Sequence, residues 1–312
     1  MAERATNTAS SVAPVATSAI PRRIDSQVGF RPFLARFSSQ PLPMAGLVIV
    51  VLLTLVSVIG PLLTVSPITQ DIEAILDPPS ASHLFGTDEL GRDVFARVVY
   101  GGRISLQVGV VAVSIALVIG TALGLVAGYW GGSWVDNVIM RAIDALLAFP
   151  SLVLAIAITA VLGPNLQNAM LAIGIVNIPS FARLVRGQVL TIRPKEFIEA
   201  ARTLGANDAR VILLHVLPNT LGPIVVLVSL RLAFAVLSEA SLSFLGLGAQ
   251  PPTATWGSML NAGRNFLERE PWVSFFPGVA IFLTVLGFSV IGDGIRDTLD
   301  PRMKAGRAGP AE

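Results

Sequence analysis

Cysteine is absent from this 312-residue chain, which excludes disulfides and thiolate metal sites. The two histidines, His83 and His215, lie far apart in sequence and offer no ligand cluster, whereas a metal site needs several convergent donors. Lysine occurs only as Lys195 and Lys304, and no G-x-x-x-x-G-K-[ST] phosphate loop exists, so ATP hydrolysis by that route is excluded. There is no nucleophile–base constellation and no carboxylate pair placed for general acid work. A non-enzymatic chain with no metal or cofactor of its own is expected. Charge is scarce as well: 13% of residues, where a soluble domain carries roughly 25%. With 53% hydrophobic residues and a mean hydropathy of +0.71, the chain belongs in a bilayer. The net charge of +2 gives no sign of nucleic acid as a partner; the basic residues act as membrane-topology markers.

What is present is a series of long apolar segments. Residues 1–27, rich in Ala, Ser, Thr and Pro, are expected to form a disordered tail and not a signal peptide. In 28–43, Phe30, Phe33, Leu34 and Phe37 fall at helical spacing with Arg31 and Arg36 on the polar side, which suits an amphipathic segment at the cytoplasmic interface. A basic tether is the alternative. Residues 44–65 form a first span, since crossing the hydrocarbon takes ~20 residues. Residues 66–103 are acid-rich and read as an external loop. The second span, 104–129, carries Gly120, Gly124 and Gly128 at every fourth position, a ladder suited to close helix packing. Residues 130–144 read as a short turn at the membrane boundary, with Tyr129, Trp130 and Trp134 interfacial. The chargeless run 145–182 is too long for one span and breaks at Gly163-Pro164-Asn165 into an external hairpin. Arg183, Arg186, Arg193 and Lys195 mark a cytoplasmic return. A fifth span follows Pro218 and a sixth occupies 271–291, so that 104–300 forms a core and 301–312 a cytoplasmic tail. The expected fold is all-α and polytopic, with six transmembrane helices and both termini cytoplasmic.

One polar island stands between the fourth and fifth spans. In 195–218, the part from Phe197 to Leu204 favours a helix with Ala200, Ala201 and Leu204 on an apolar face and Glu199 and Arg202 in water. Gly205 permits the left-handed turn that ends it. Asn207 or Asp208 can cap a second helix running through Val211 toward His215, and Pro218 suits the entry to the next span. A short helix-turn-helix projecting from the membrane results.

This island resembles the EAA loop of ABC importer permeases, at Glu199, Ala200, Ala201, Gly205, Ile212, Leu217 and Pro218, with Asp208 at the second helix start. The run from Phe85 through Asp93, FGTDELGRD, resembles the signature of the peptide and nickel branch of that family. Further similarity lies in Tyr129, Gly131, Gly132, Trp134, Asp136, Arg141 and Asp144, in the EASLSFLGLG segment beginning at Glu239, and in the closing pattern through Asp300-Pro301-Arg302. The resemblance implies a type I importer permease in a bacterial inner membrane. It implies as partners a second, homologous permease in a heterodimer, two ATP-binding subunits that hold ATP-Mg and dock on the loop, an external solute-binding protein and membrane lipid. Di- or oligopeptides are the cargo it implies, with nickel or another small solute as the alternative. A carrier driven by an ion gradient is the rival from another class, but it predicts inverted repeats and a midplane carboxylate cluster, and neither is evident.

Among the external residues, Asp88, Gly91, Arg92 and Asp93, the three charges can bond one another and the helix start at Val94; contact with a binding protein is the alternative. Two charges fall deep in the fifth apolar run, Arg231 and Glu239. Eight residues apart, they are too distant for a direct bridge along one helix. Each needs a partner or an aqueous cavity. Together with Ser238 and Asn177 they are candidates for a pathway or a subunit seam.

Overall fold

The computed structural model describes residues 30–299, so the expected tail at 1–27 and the closing segment from Asp300 onward, including 301–312, lie outside it. The described residues form helices α1 (Phe30–Ser38), α2 (Pro41–Ile59), α3 (Val94–Tyr129), α4 (Trp134–Leu147), α5 (Ser151–Leu162) and α6 (Leu166–Ile192), followed by α7 (Glu196–Thr203), α8 (Asp208–Val211), α9 (Leu217–Phe244), α10 (Trp256–Gly263) and α11 (Trp272–Leu299). Among the described residues there is no named strand. Five stretches are long and apolar enough to cross a membrane: Pro41–Leu62, Val94–Tyr129, Leu166–Ile192, Asp208–Phe244 and Trp272–Leu299. A sixth is α4 plus α5, bent by 90°.

Several boundaries differ from the sequence reading, each for a local reason. The helix α3 starts at Val94, inside the expected loop 66–103, because the Asp93 carboxylate caps it by accepting from the Ala96 amide at 2.7 Å. Residues 134–144 are helical instead of a turn. Ser133 caps α4, and Asp136 stands in its first turn, where the helix dipole favours an acid. The chargeless run does break after α5, where Gly163 has φ +97° and Asn165 caps α6, but it also breaks at 148–150 ahead of Pro150. The third crossing is therefore a half-length apolar helix set at a right angle to an amphipathic one. Arg183 and Arg186 lie on α6, paired with Asp144 and Asp136 of α4 at 2.5 and 2.6 Å.

The glycine ladder brings α3 against α6, the most extensive helix pair in the fold. A Cβ on Gly120 would lie 2.7 Å from the Ile178 carbonyl oxygen, and one on Gly124 2.6 Å from that of Ala182. Both neighbours are backbone, which cannot swing aside. Gly124→Ala is therefore expected to destabilise the detergent-extracted protein by ~1–3 kcal/mol, as overpacking does. Gly187→Ala, with nothing within 4 Å of the added carbon, leaves the melting midpoint unchanged. Equal midpoints for the two variants would contradict this packing.

At one end of α1, Phe33 stacks on buried Phe37, and Phe37 with Pro43 packs over Gly294 of α11. The apolar side of this helix is thus partly spent on the protein, while Leu34 is exposed.

Candidate functional site

The polar island folds as a helical hairpin. Glu196 and Glu199 occupy the first turn of α7 and Arg202 the last, each sign complementing the helix dipole. The helix ends in a Schellman motif: the Ala206 amide donates to the Ala201 carbonyl at 3.1 Å and the Gly205 amide to that of Arg202 at 2.9 Å. This motif needs a left-handed residue, and Gly205 supplies it at φ +86°. Asn207 is the cap of α8, its side-chain oxygen accepting from the Arg210 amide at 2.9 Å. The second helix is shorter than expected. After α8 the chain passes through a π-type turn, Ile212–Val216, directly into α9. Helical backbone thus runs without a break from the second arm of the hairpin into α9.

The buried face of α7 is also not the expected one. Ile198 is its buried contact, joined by Val211 and Val216, and Ala201 is only partly buried. Ala200 is exposed, and Leu204 is 89% exposed, with Phe197, Leu213 and Leu214 also open. Glu199, Asp208 and Pro218 are exposed as well, whereas Ile212 and Leu217 pack partly against the core. The hairpin thus holds its apolar tip in the open and packs its other side against the core.

Tyr129, at the end of α3, holds the hairpin in place. Its hydroxyl donates to Asp208 Oδ1 and its ring carries the Arg202 guanidinium at 5.2 Å. Next to it Asp136 accepts both Arg186 nitrogens, at 2.6 and 2.7 Å, and the Gly132 amide at 2.9 Å. The sequence reading assigned Tyr129 to the membrane boundary and missed this role. The available signal was the family pattern that places Tyr129, Gly132 and Asp136 in one run. Tyr129→Phe keeps the ring and removes the hydroxyl; losing a hydrogen bond to a carboxylate costs ~1.5–3 kcal/mol. Amide hydrogen exchange over Glu196–Thr203 should quicken while that of α3 does not, and unchanged exchange in both would contradict the anchor.

The two intramembrane charges are treated oppositely. Glu239 is fully buried inside the chain, where Oε1 accepts from the Ser243 hydroxyl at 2.7 Å and Oε2 from that of Ser105 at 2.8 Å. Ser105 in turn faces the Trp256 amide at 3.4 Å. Glu239 therefore ties α9 to α3 and α10 and lines no open surface, contrary to its expected place on a pathway or seam. Arg231, at the middle of α9, is half-buried. One of its terminal nitrogens donates to Asn177 Oδ1 on α6 at 3.4 Å, the long end of a hydrogen bond. Its guanidinium also stands 5.7 Å from the Phe234 ring centre. It takes part in none of the ion pairs among the described residues. Ser238 lies partly buried on the same face of α9.

Residues 120–305 match the profile of the binding-protein-dependent transport system inner membrane component. The chain belongs to that family. Residues 30–79 match the N-terminal transmembrane domain of oligopeptide transport permease C. The permease is 50% identical over 277 residues to the dipeptide transport system permease protein DppC of Alkalihalophilus pseudofirmus, covering 88% of this chain and 91% of that one. It is 48% identical to the glutathione transport system permease protein GsiD of Pectobacterium atrosepticum (75% and 78% covered) and 49% identical to the probable D,D-dipeptide transport system permease protein DdpC of Escherichia coli strain K12 (84% and 88% covered). Among solved structures it resembles the methionine ABC transporter MetNI, with a TM-score of 0.54 and 21% identity, over 65% of this chain and 97% of that one. This likeness concerns the fold. The permease is a multi-pass protein of the inner membrane.

At the end of the permease opposite the hairpin, the FGTDELGRD run forms a closed electrostatic knot. Asp88 accepts the Arg92 guanidinium at 2.7 Å, the amides of Leu90 and Arg92 at 2.9 and 3.0 Å, and lies 3.3 Å from Arg97. Arg92 reaches Glu89 at 3.0 Å, and Asp93 adds His83 at 2.9 Å to its capping bond. Gly91, at φ +69°, lets the turn press on the Asp71 carbonyl, which a side chain there would strike. Phe85 stacks on Phe276 at 3.8 Å and the Trp272 indole donates to the Thr87 carbonyl at 3.2 Å, so the knot is pinned to the start of α11. No group of three or more His, Cys, Asp and Glu suited to a metal occurs among the described residues.

Proposed function

We propose that this permease is one of two membrane subunits of an ATP-driven importer for di- or oligopeptides, and that the hairpin from Glu196 to Pro218 is its coupling element. The hairpin end would be cytoplasmic and the Asp88 end external, with 28–43 at the inner interface and 66–103 outside. Two ATP-binding subunits would hold ATP-Mg and carry out hydrolysis, a second permease would complete the pathway, and an external binding protein would deliver the solute. The observation that carries the reading is the exposed apolar tip at Leu204 on a hairpin whose opposite side is clamped through Tyr129 and Arg202. Such a lever can pass a displacement of the ATPases through the π-type turn into α9, switching access between two packings of the bundle. The peptide cargo draws support from the names of the similar permeases, each of which specifies a peptide-type solute.

The test is uptake of a labelled dipeptide into vesicles holding the complete complex and its binding protein. Uptake should require ATP and persist when ion gradients are collapsed. Uptake that follows the gradient and ignores ATP would overturn the proposal, and uptake of nickel in place of peptide would reassign the cargo within the same machinery.

A further inference from the structure

The permease satisfies one intramembrane charge internally and leaves the other open, although both stand on the same helix. Glu239 is enclosed by hydroxyl donors of its own chain. Arg231, two helical turns earlier, is half-buried; among the described residues its hydrogen-bond partner is the neutral amide of Asn177, and its guanidinium stands over the Phe234 ring. Asn177 is itself buried, and its own NH₂ is committed to the Ile173 carbonyl at 2.8 Å, which fixes its oxygen toward Arg231. One edge of the guanidinium is thereby oriented, and the rest of its five donors remain for another ligand.

We propose that Arg231, positioned by Asn177, is a carboxylate-recognition point on the translocation pathway, pairing with the C-terminal carboxylate of a passing peptide. The inference rests on the peptide-importer reading above. A planar guanidinium presents two parallel donors that match a carboxylate, and such pairs are the strongest hydrogen bonds available to a solute's charged end. A charge at the centre of an apolar span is tolerated where it faces water or a partner, and intramembrane ionisable residues mark substrate routes for that reason. The neutral partner favours a solute over a permanent ion pair. Asn177 aims the donor without neutralising it, so the charge stays free for an anion that arrives and leaves.

The absence of cysteine makes the position addressable. Arg231→Cys would be the sole thiol of this chain in the complete importer, and labelling is scored on this chain by mass. A hydrophilic methanethiosulfonate should label it in native vesicles, and a saturating dipeptide delivered by the binding protein should slow the labelling. Dipeptide uptake should fall at least about tenfold, the equivalent of one lost charge-assisted contact. The cationic aminoethyl reagent should restore it, and the anionic sulfonatoethyl reagent should not. Arg231→Lys, which keeps the charge and loses the fork, should retain part of the uptake, more than Arg231→Gln, which decides the matter if the cysteine variant fails to fold. Absence of labelling together with loss of the co-purifying second permease would assign Arg231 to an inter-subunit ion pair and overturn the proposal. Labelling that peptide does not slow, or variants transporting like wild type, would overturn it equally. Loss of ATP-driven peptide uptake in the wild-type complex would instead fail the importer reading itself, so the two failures are distinct.

Discussion

Replacing Leu204 by Asp is expected to abolish ATP-coupled uptake while leaving the permease inserted and folded. Leu204 makes almost no contact within its own chain, so its loss costs the isolated protein little. An apolar residue at the centre of a docking interface is worth ~2 kcal/mol or more, and a buried unpaired carboxylate adds to the loss, so binding should fall at least ~30-fold. Gly205 gives a companion series. No atom lies within 4 Å of an added Cβ, so the only intrinsic cost there is the left-handed backbone. Asn tolerates that conformation and Val does not. Gly205→Asn should thus transport nearly as wild type and Gly205→Val should not, while Gly205→Trp fails by obstructing the surface. ATP-dependent uptake, normalised to permease extracted from the membrane, reads all four. Uptake by Leu204→Asp within twofold of wild type would remove the hairpin tip from the interface.

Glu239→Ala should act on folding. The carboxylate is the shared acceptor of Ser105 and Ser243, and its removal strands both hydroxyls beside a cavity. Unsatisfied buried groups cost ~1–3 kcal/mol each, so a loss of about 3 kcal/mol or more is expected, a large fraction of a typical protein's stability. Glu239→Gln preserves shape and lets the hydroxyls turn, and should cost about 1 kcal/mol, the scale of a single exchanged hydrogen bond. Thermal unfolding of the purified permease separates the two. A stable Glu239→Ala protein that fails only in transport would place this residue on the pathway after all.

Most of the helical plan was legible because hydropathy and length alone mark a span, and because Gly205, Asn207 and Gly163 are local punctuation whose effect does not depend on the rest of the fold. Other features were hidden for physical reasons. The right-angle break at 148–150 lies within a run without charge, where hydropathy is flat, and Pro150 was its only mark. The side of α7 that is buried depends on what packs against it: Leu204 is as apolar as Ile198, yet Leu204 is open and Ile198 enclosed. The anchor from Tyr129 to Asp208 joins residues 79 apart in sequence, and the enclosure of Glu239 by Ser105 spans 134. No periodicity in the chain reports pairings at such distance. The opposite environments of Arg231 and Glu239 were invisible for the same cause, although both residues were singled out by their charge.

Docking of an ATPase on the hairpin is the step on which import depends. It is tested most directly by purifying the tagged permease from membranes in mild detergent, with the second permease co-expressed, and assaying ATP hydrolysis in the eluate. Wild type should carry an ATPase, while Glu199→Arg and Gly205→Trp should lose it and remain folded. An eluate from wild type without ATPase activity would contradict the account.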